Sequence, residues 1–115
     1  MTYFKDVITH DDLKKIYRKL AFLYHPDKGG NIRVMQHINR EYSEISPEFG
    51  RIPKNLMDVK VGNIIFVNNT QCVVTEVEKY RFKARSIETN RESYFSKTTG
   101  YAMLNYKFKA SVIKN

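Results

Sequence analysis

The sequence contains a single cysteine, Cys72, and this scarcity excludes several classes of protein. One cysteine can form neither an internal disulfide nor a multi-cysteine zinc site, so we expect a reducing, cytoplasmic location. The three histidines have no i,i+4 partner and no nearby carboxylate pair with ligand spacing, so no metal site is expected. No Ser/His/Asp or Cys/His arrangement stands out, and we therefore expect neither an enzyme nor a bound cofactor.

Long apolar runs are also missing, and acidic residues are few. No run approaches the roughly 18 residues that a membrane-spanning helix needs, and residues 1–6 do not have the pattern of a secretory signal. The net charge is +8, and it is uneven: residues 1–50 carry 8 basic and 7 acidic residues, whereas residues 51–115 carry 12 and 5. A basic second half indicates an anionic partner, either nucleic acid or an acidic protein surface, although it could equally serve solubility.

Residues 9–24 show apolar residues at helical spacing, which predicts an amphipathic helix. Thr9 is placed to cap its first turn. Pro26 ends the helix, because a proline pushes the preceding residue out of the helical region. The predicted apolar stripe consists of Leu13, Ile16, Tyr17, Leu20, Ala21 and Tyr24.

A second helix is predicted from about Asn31, as its N-cap, to Glu44. Gly29 and Gly30 free the backbone to turn between the two helices, so we predict an antiparallel helical hairpin with a loop at its tip. Residues 3–7 are expected to add a short helical turn at the base. The apolar stripe of the second helix comprises Val34 or Met35, Ile38, Tyr42 and Ile45.

The apolar period changes from helical to strand-like near residue 50, after a boundary at residues 46–53 that holds two prolines and a glycine. Asn68-Asn69 is a turn signal between two apolar runs. We predict an α+β fold, with a helical hairpin at 1–46, a linker at 47–58 and a small SH3-like β-barrel at 59–115. The predicted strands lie at 64–67, 72–77, 80–85, 92–96 and 107–113.

The tripeptide His25-Pro26-Asp27 stands directly between the two predicted helices. Residues 13–28 resemble helix II and the following loop of the J-domain family, and residues 38–42 resemble its helix III pattern of Ile-Asn-x-x-Tyr. The run His-Pro-Asp-Lys-Gly-Gly is similar to the loop of viral J domains. The resemblance covers about residues 3–45. The family's helix IV has no counterpart here, because Pro47 and Pro53 occupy its place.

The resemblance implies a co-chaperone that docks a DnaK-type, seventy-kilodalton heat-shock chaperone and stimulates its ATP hydrolysis. In the family, the basic face of helix II and the loop dock on the chaperone, and Asn39 would support the loop. The residues that match this surface are His25, Pro26, Asp27, Lys14, Lys15, Arg18, Lys19 and Asn39. Simpler readings exist: Asp27 could merely cap the loop or the next helix, and the lysines could be a solvated helix face.

The second domain interleaves basic and aromatic residues, a pattern that could bind single-stranded nucleic acid through phosphates and base stacking. We favour the alternative that the aromatics fill a barrel core while the cations face water, because strict alternation separates the two sets. The candidate nucleic-acid-binding residues are Arg81, Lys83, Arg85, Lys107 and Lys109. The runner-up function is therefore a nucleic-acid-binding module with the hairpin as scaffold. A third is a viral or plasmid-borne factor that recruits a host chaperone.

Overall fold

The computed structural model describes residues 3–4, 7 and 9–114. Two N-terminal helices precede a five-stranded antiparallel sheet that curls into a half-barrel, so the predicted α+β class is confirmed. The chain forms two compact units, Met1–Pro47 and Glu48–Asn115. Each unit has its own buried apolar residues.

Helix α1, His10–Tyr24, begins and ends where its caps predict. The side chain of Thr9 accepts a hydrogen bond from the backbone N–H of Asp12 at 3.1 Å, which satisfies one of the free amides of the first turn. At the other end the backbone of His25 is extended, as expected for a residue that precedes a proline.

Helix α2, Ile32–Ile45, starts after a side-chain cap from Asn31. The Asn31 carboxamide oxygen accepts hydrogen bonds from the backbone N–H groups of Arg33 and Val34, at 2.9 and 3.2 Å. The short connection from α1 returns the chain along α1, and Tyr17 in the middle of α1 stacks on Tyr42 of α2 with ring centroids 4.1 Å apart.

The small core of the first unit includes Phe4 and Val7, which precede helix α1. Phe4 is fully buried, and its carbonyl accepts a hydrogen bond from the N–H of Val7 at 3.1 Å. Residues 5, 6 and 8 of this N-terminal segment lie outside the described residues. The carboxylate of Glu41 accepts the N–H of Tyr3 at 3.1 Å. The other buried apolar residues of this unit are Val7, Leu13, Met35, Ile38 and Ile45.

The apolar stripe predicted for α1 is only half-buried over most of its length. Leu13 is fully buried, whereas the other five stripe residues have intermediate exposure. Helical spacing identifies the face that turns inward, but the depth of burial depends on how much chain covers that face.

The sheet of the second unit has the order β4-β3-β2-β1-β5, with every neighbouring pair antiparallel. Its strands are β1 Ile64–Val67, β2 Thr70–Val77, β3 Arg81–Ser86, β4 Glu92–Ser96 and β5 Ala110–Ser111. Asn68 and Asn69 make the predicted two-residue turn, with φ of 48° and 70°. Strand β5 is shorter than predicted, because turns enclose it at both ends, through the N–H of Phe108 and the N–H of Ile113.

Curling of the sheet brings the segment after β4 towards β5. Bridges pair Phe95 with Ala102 and Tyr101 with Lys109, so this segment links β4 to β5. In β2 the register shifts between Val74 and Glu76, which marks a β-bulge, and bulges increase strand twist. The buried apolar residues inside the curl are Val59, Ile65, Val67, Cys72, Val74, Phe82, Ala84, Phe95, Ala102 and Ala110.

Residues at the start of the second unit hydrogen-bond to the chain just before β1. The N–H of Gly50 donates to the carbonyl of Gly62 at 2.8 Å, and the N–H of Ile64 donates to Arg51 at 2.8 Å. Phe49 is buried, at 5% exposure. Part of the segment predicted as a linker, 47–58, is therefore packed within the second unit.

Candidate functional site

The tip of the helical hairpin presents His25, Pro26 and Asp27 to solvent. Pro26–Lys28 forms a single 3-10 turn, and the His25 side chain caps it: Nδ1 accepts a hydrogen bond from the N–H of Asp27 at 3.2 Å. The His25 side chain is 49% exposed and that of Asp27 is 89% exposed. The imidazole and the carboxylate are therefore held by local backbone geometry and are open to a partner.

Two glycines shape the other half of the loop for different reasons. Gly29 has a φ of 77°, in the left-handed region, and a Cβ there would meet open space. Gly30 lies against the last turn of α1, where a Cβ would overlap the backbone of Tyr24. Both glycine N–H groups donate at 3.1 Å, Gly29 to Pro26 and Gly30 to His25, so the loop closes on the proline and the histidine.

The cationic face of α1, the helix that leads into the tip, consists of four exposed residues, Lys14, Lys15, Arg18 and Lys19. One local hydrogen bond joins two of these residues: Arg18 Nε donates to the carbonyl of Lys14 at 3.4 Å. None of the ion pairs formed within the described part of the chain includes them. Their charges are thus available to an acidic surface.

Sequence reasoning did not single out the exposed apolar residues at the end of α1, next to the tip. Phe22 is 64% exposed and Leu23 is 55% exposed. The Lys28 ammonium lies 4.6 Å from the centroid of the Phe22 ring, a cation–π contact that ties the loop to the end of α1. A signal was present in the sequence, since both residues fall off the apolar stripe that ends at Tyr24.

Asn39 contacts the middle of α1. Its carboxamide oxygen accepts a hydrogen bond from the Tyr17 hydroxyl at 2.5 Å. The same tyrosine ring stacks on Tyr42 with an interplanar angle of 25°. In this geometry Asn39 fixes the two helices against each other and acts on the loop only through the helices that carry it.

In the second unit, the candidate nucleic-acid-binding cations Arg81 and Lys83 are paired with carboxylates. Arg81 Nε lies 2.6 Å from Glu78 Oε2, and this hydrogen bond raises the pKa of the guanidinium. Lys83 Nζ lies 3.5 Å from Glu76 and 3.6 Å from Glu92. Burial acts to lower the pKa of Lys83, but the two carboxylates outweigh it and raise that pKa.

Tyr94 completes this polar cluster on the outer face of β3 and β4. Its hydroxyl donates to Glu76 Oε2 at 3.0 Å, a hydrogen bond that lowers the pKa of Glu76 and raises the pKa of Tyr94. The Arg81 guanidinium lies 3.9 Å from the Tyr94 ring centroid. The Tyr94 ring and the cations Arg81 and Lys83 already have partners within this cluster. They are therefore less available to stack on bases or to bind phosphates.

The remaining three candidate cations occupy different environments. Arg85 is buried, at 6% exposure, whereas Lys107 and Lys109 are exposed. Lys109 lies over the ring of Tyr101, 5.2 Å from its centroid. The prediction that the aromatic residues fill the core holds for Phe82 and Phe95, which are buried and stacked with ring centroids 5.7 Å apart. It does not describe Tyr80, Tyr106 and Phe108, which are exposed.

Across residues 3–4, 7 and 9–114, no group of three or more His, Cys, Asp or Glu side chains is arranged to hold a metal ion. No helix of that part of the chain has the length and apolar character to cross a membrane. Cys72, the sole cysteine, is buried in β2, and this burial raises the pKa of its thiol to about 11.

Comparison with known proteins relates the chain to a viral protein. It is similar to the small t antigen of Budgerigar fledgling disease virus, with 31% identity over 94 residues. The match covers 76% of this chain and 63% of the viral protein, so the chain spans less than two thirds of that protein's length. No protein-family model and no solved structure matches the chain.

Proposed function

We propose that this chain is a viral J-domain co-chaperone, which docks a DnaK-type heat-shock chaperone of the host and stimulates its ATP hydrolysis. The observation that carries the proposal is the exposed His25-Pro26-Asp27 tip, held between two helices, the first of which has a cationic face with no ion pair to any described residue. Similarity to a viral small t antigen supports the viral part. The protein would carry out no chemistry itself and would need no cofactor.

The cationic face would act at a distance. Four exposed positive charges attract an acidic surface before contact, which raises the association rate more than the final affinity. Screening by salt weakens such steering, since the Debye length falls to roughly 8 Å at physiological ionic strength. We therefore expect docking to slow as salt rises.

The tip would provide the specific contact. The carboxylate of Asp27, 89% exposed, is free to form a charge-assisted pair with an arginine of the chaperone. Pro26 fixes one backbone dihedral, so less conformational entropy is lost when the loop is bound. Stimulation requires only that the tip bind the hydrolysis-competent state of the chaperone more tightly than its other state, which shifts that population.

A steady-state ATPase assay with a purified DnaK-type chaperone tests the proposal. Wild-type chain should stimulate hydrolysis, and Asp27→Asn should reduce the rate to that of the chaperone alone. Glu44→Gln is the matched control, because Glu44 is exposed on α2 and its carboxylate makes no ion pair with another described residue. The proposal fails if the wild-type chain does not stimulate, or if Asp27→Asn stimulates as well as the control.

A further inference from the structure

The second unit contains an open cavity with a volume of about 790 Å³, which is lined by residues of β2, β3 and β4 and of the segment after β4. Cys72 and Ala84 lie in its wall together with Phe95. Small side chains at the first two positions leave space that larger apolar residues would fill. A cavity of this size falls in the range of ligand pockets, which are mostly apolar with a few polar groups.

One edge of the cavity is an exposed apolar segment, residues 101–108, which we call the apolar rim. Met103, Leu104 and Phe108 of the rim line the cavity and are 49%, 101% and 42% exposed. Tyr106, which is 79% exposed, belongs to the same segment. Adjacent exposed apolar residues on this scale mark interaction surfaces, because each leaves apolar area in water that a partner could cover.

Backbone hydrogen bonds hold the apolar rim in place. The N–H of Met103 donates to the carbonyl of Tyr94 at 2.8 Å, and the N–H of Ala102 donates to Phe108 at 2.9 Å. The Asn68 carboxamide donates to the carbonyl of Lys107 at 2.9 Å. The exposed side chains are thus presented from an ordered backbone, which lowers the entropy cost of binding.

The charge of this part of the chain indicates what kind of partner would bind the apolar rim. Residues 93–115 contain four lysines and no acidic residue. Lys107 of the apolar rim and Lys109, which directly follows the rim, are both exposed. A partner that covers the rim therefore meets positive charge next to apolar surface, and carboxylates beside its own apolar residues complement both.

We propose that this cavity and the apolar rim bind an apolar segment of a partner protein that is flanked by acidic residues. Apolar side chains of the segment enter the cavity, and its carboxylates pair with Lys107 and Lys109. Glu88 and Glu92 line the cavity together with Arg81, Lys83 and Arg91, so a continuous phosphate backbone would meet carboxylates as well as cations and fits less well than an apolar segment. This site is separate from the hairpin tip and does not depend on chaperone docking.

Fluorescence anisotropy with the full-length chain tests the site. The probes are three labelled short peptides and oligo-dT: one peptide has a Leu/Phe centre flanked by Glu, the second has the same centre flanked by Lys, and the third has Ser in place of Leu and Phe. The Glu-flanked peptide should bind the most tightly. Leu104→Asp should weaken it by about tenfold or more, since it places a charge in the contact.

Ile113→Asp is the matched control, because Ile113 is 66% exposed and does not line the cavity. It should leave binding unchanged, and Leu104 is so exposed that its replacement does not threaten folding. Cys72 gives a second readout, since bound peptide should slow its modification by a thiol reagent. Equal binding of the Glu- and Lys-flanked peptides, preference for oligo-dT, or no binding at millimolar peptide would each overturn the proposal.

Discussion

The imidazole Nδ1 of His25 accepts a hydrogen bond from the backbone N–H of Asp27 at 3.2 Å. An accepting Nδ1 carries no proton, so the N–H of the neutral ring is on Nε2. Nδ1 also lies 3.7 Å from the Asp27 carboxylate. One side chain therefore closes the loop with one nitrogen and offers a donor to a partner with the other.

Two variants of His25, each with an amide side chain, separate the role of Nδ1 in closing the loop from the role of Nε2 as a donor. The Oδ1 of Asn lies as many bonds from the backbone as Nδ1, and Asn is a strong N-cap, so His25→Asn should keep the N–H of Asp27 bonded. The acceptor of His25→Gln is one bond farther out and should lose this contact. Amide hydrogen exchange at Asp27 measures the difference. Equal exchange in the two variants would show that Nδ1 does not hold the turn.

The two loop glycines should respond differently to substitution. Gly30→Ala forces a Cβ into the backbone of Tyr24, and we expect it to lower the free energy of unfolding of the hairpin by about 1–3 kcal/mol. Gly29→Asn faces open space, and Asn tolerates a positive φ, so it should be nearly neutral. Thermal unfolding followed by circular dichroism at the helical band compares the two. A more severe loss from Gly29→Asn would contradict the loop geometry.

The hydrogen bond between Tyr17 and Asn39 should stabilise the hairpin modestly. Tyr17→Phe keeps the stacking on Tyr42 and removes the hydroxyl, so we expect a loss of about 0.5–1.5 kcal/mol. Asn39→Ala and the double variant complete a mutant cycle in urea, and the two losses should not add. Chaperone stimulation should survive in both single variants while they are folded. Additive losses would mean that the two side chains do not interact in solution.

The thiol of Cys72 should be nearly inert at neutral pH. Burial raises its pKa from 9.0 to about 11, so the reactive thiolate is about a hundredfold scarcer than in the unfolded chain at the same pH. Ellman's reagent should label the native chain slowly and the urea-unfolded chain at the rate of a free thiol. Because the folded pKa is raised, the folded state favours the protonated thiol. This stabilisation is complete below about pH 9 and is lost as pH rises towards 11.

Charge reversal on the cationic face of α1 should slow chaperone docking. Lys14→Glu with Lys15→Glu should lower the association rate by about tenfold at low salt, with a smaller effect at high salt. Lys54→Glu with Lys114→Glu changes the net charge equally on the second unit and serves as the control. Stopped-flow measurement at several salt concentrations provides the rates. A loss shared by both double variants would assign the effect to net charge rather than to this face.

Much of the fold was readable in the sequence because local chemistry decides it. Thr9 and Asn31 cap their helices with their own side chains, and Asn68-Asn69 adopts the positive φ values that a tight hairpin requires. The exposure of Asp27 follows in the same way, since a proline and two glycines next to it leave no regular structure to bury it.

What escaped prediction depends on distant parts of the chain. The pairing of Lys83 with Glu76 and Glu92 joins three strands, and no local pattern reveals it. The apolar rim is similar: Met103 and Leu104 look like core residues in the sequence, but they are 49% and 101% exposed. Composition gives the number of apolar residues, whereas sheet curvature decides which of them remain uncovered.

The β-bulge in β2 determines on which side of the sheet an acidic group lies. Val74 is opposite Ala84 and Glu76 is opposite Lys83, so Thr75 is the extra residue of the bulge. Without the bulge, a regular ladder continued from Val74 would place Thr75 opposite Lys83 and Glu76 opposite Phe82, and the carboxylate would point at the buried aromatic pair. The bulge thus converts what would be a charge in the hydrophobic interior into an ion pair at the surface.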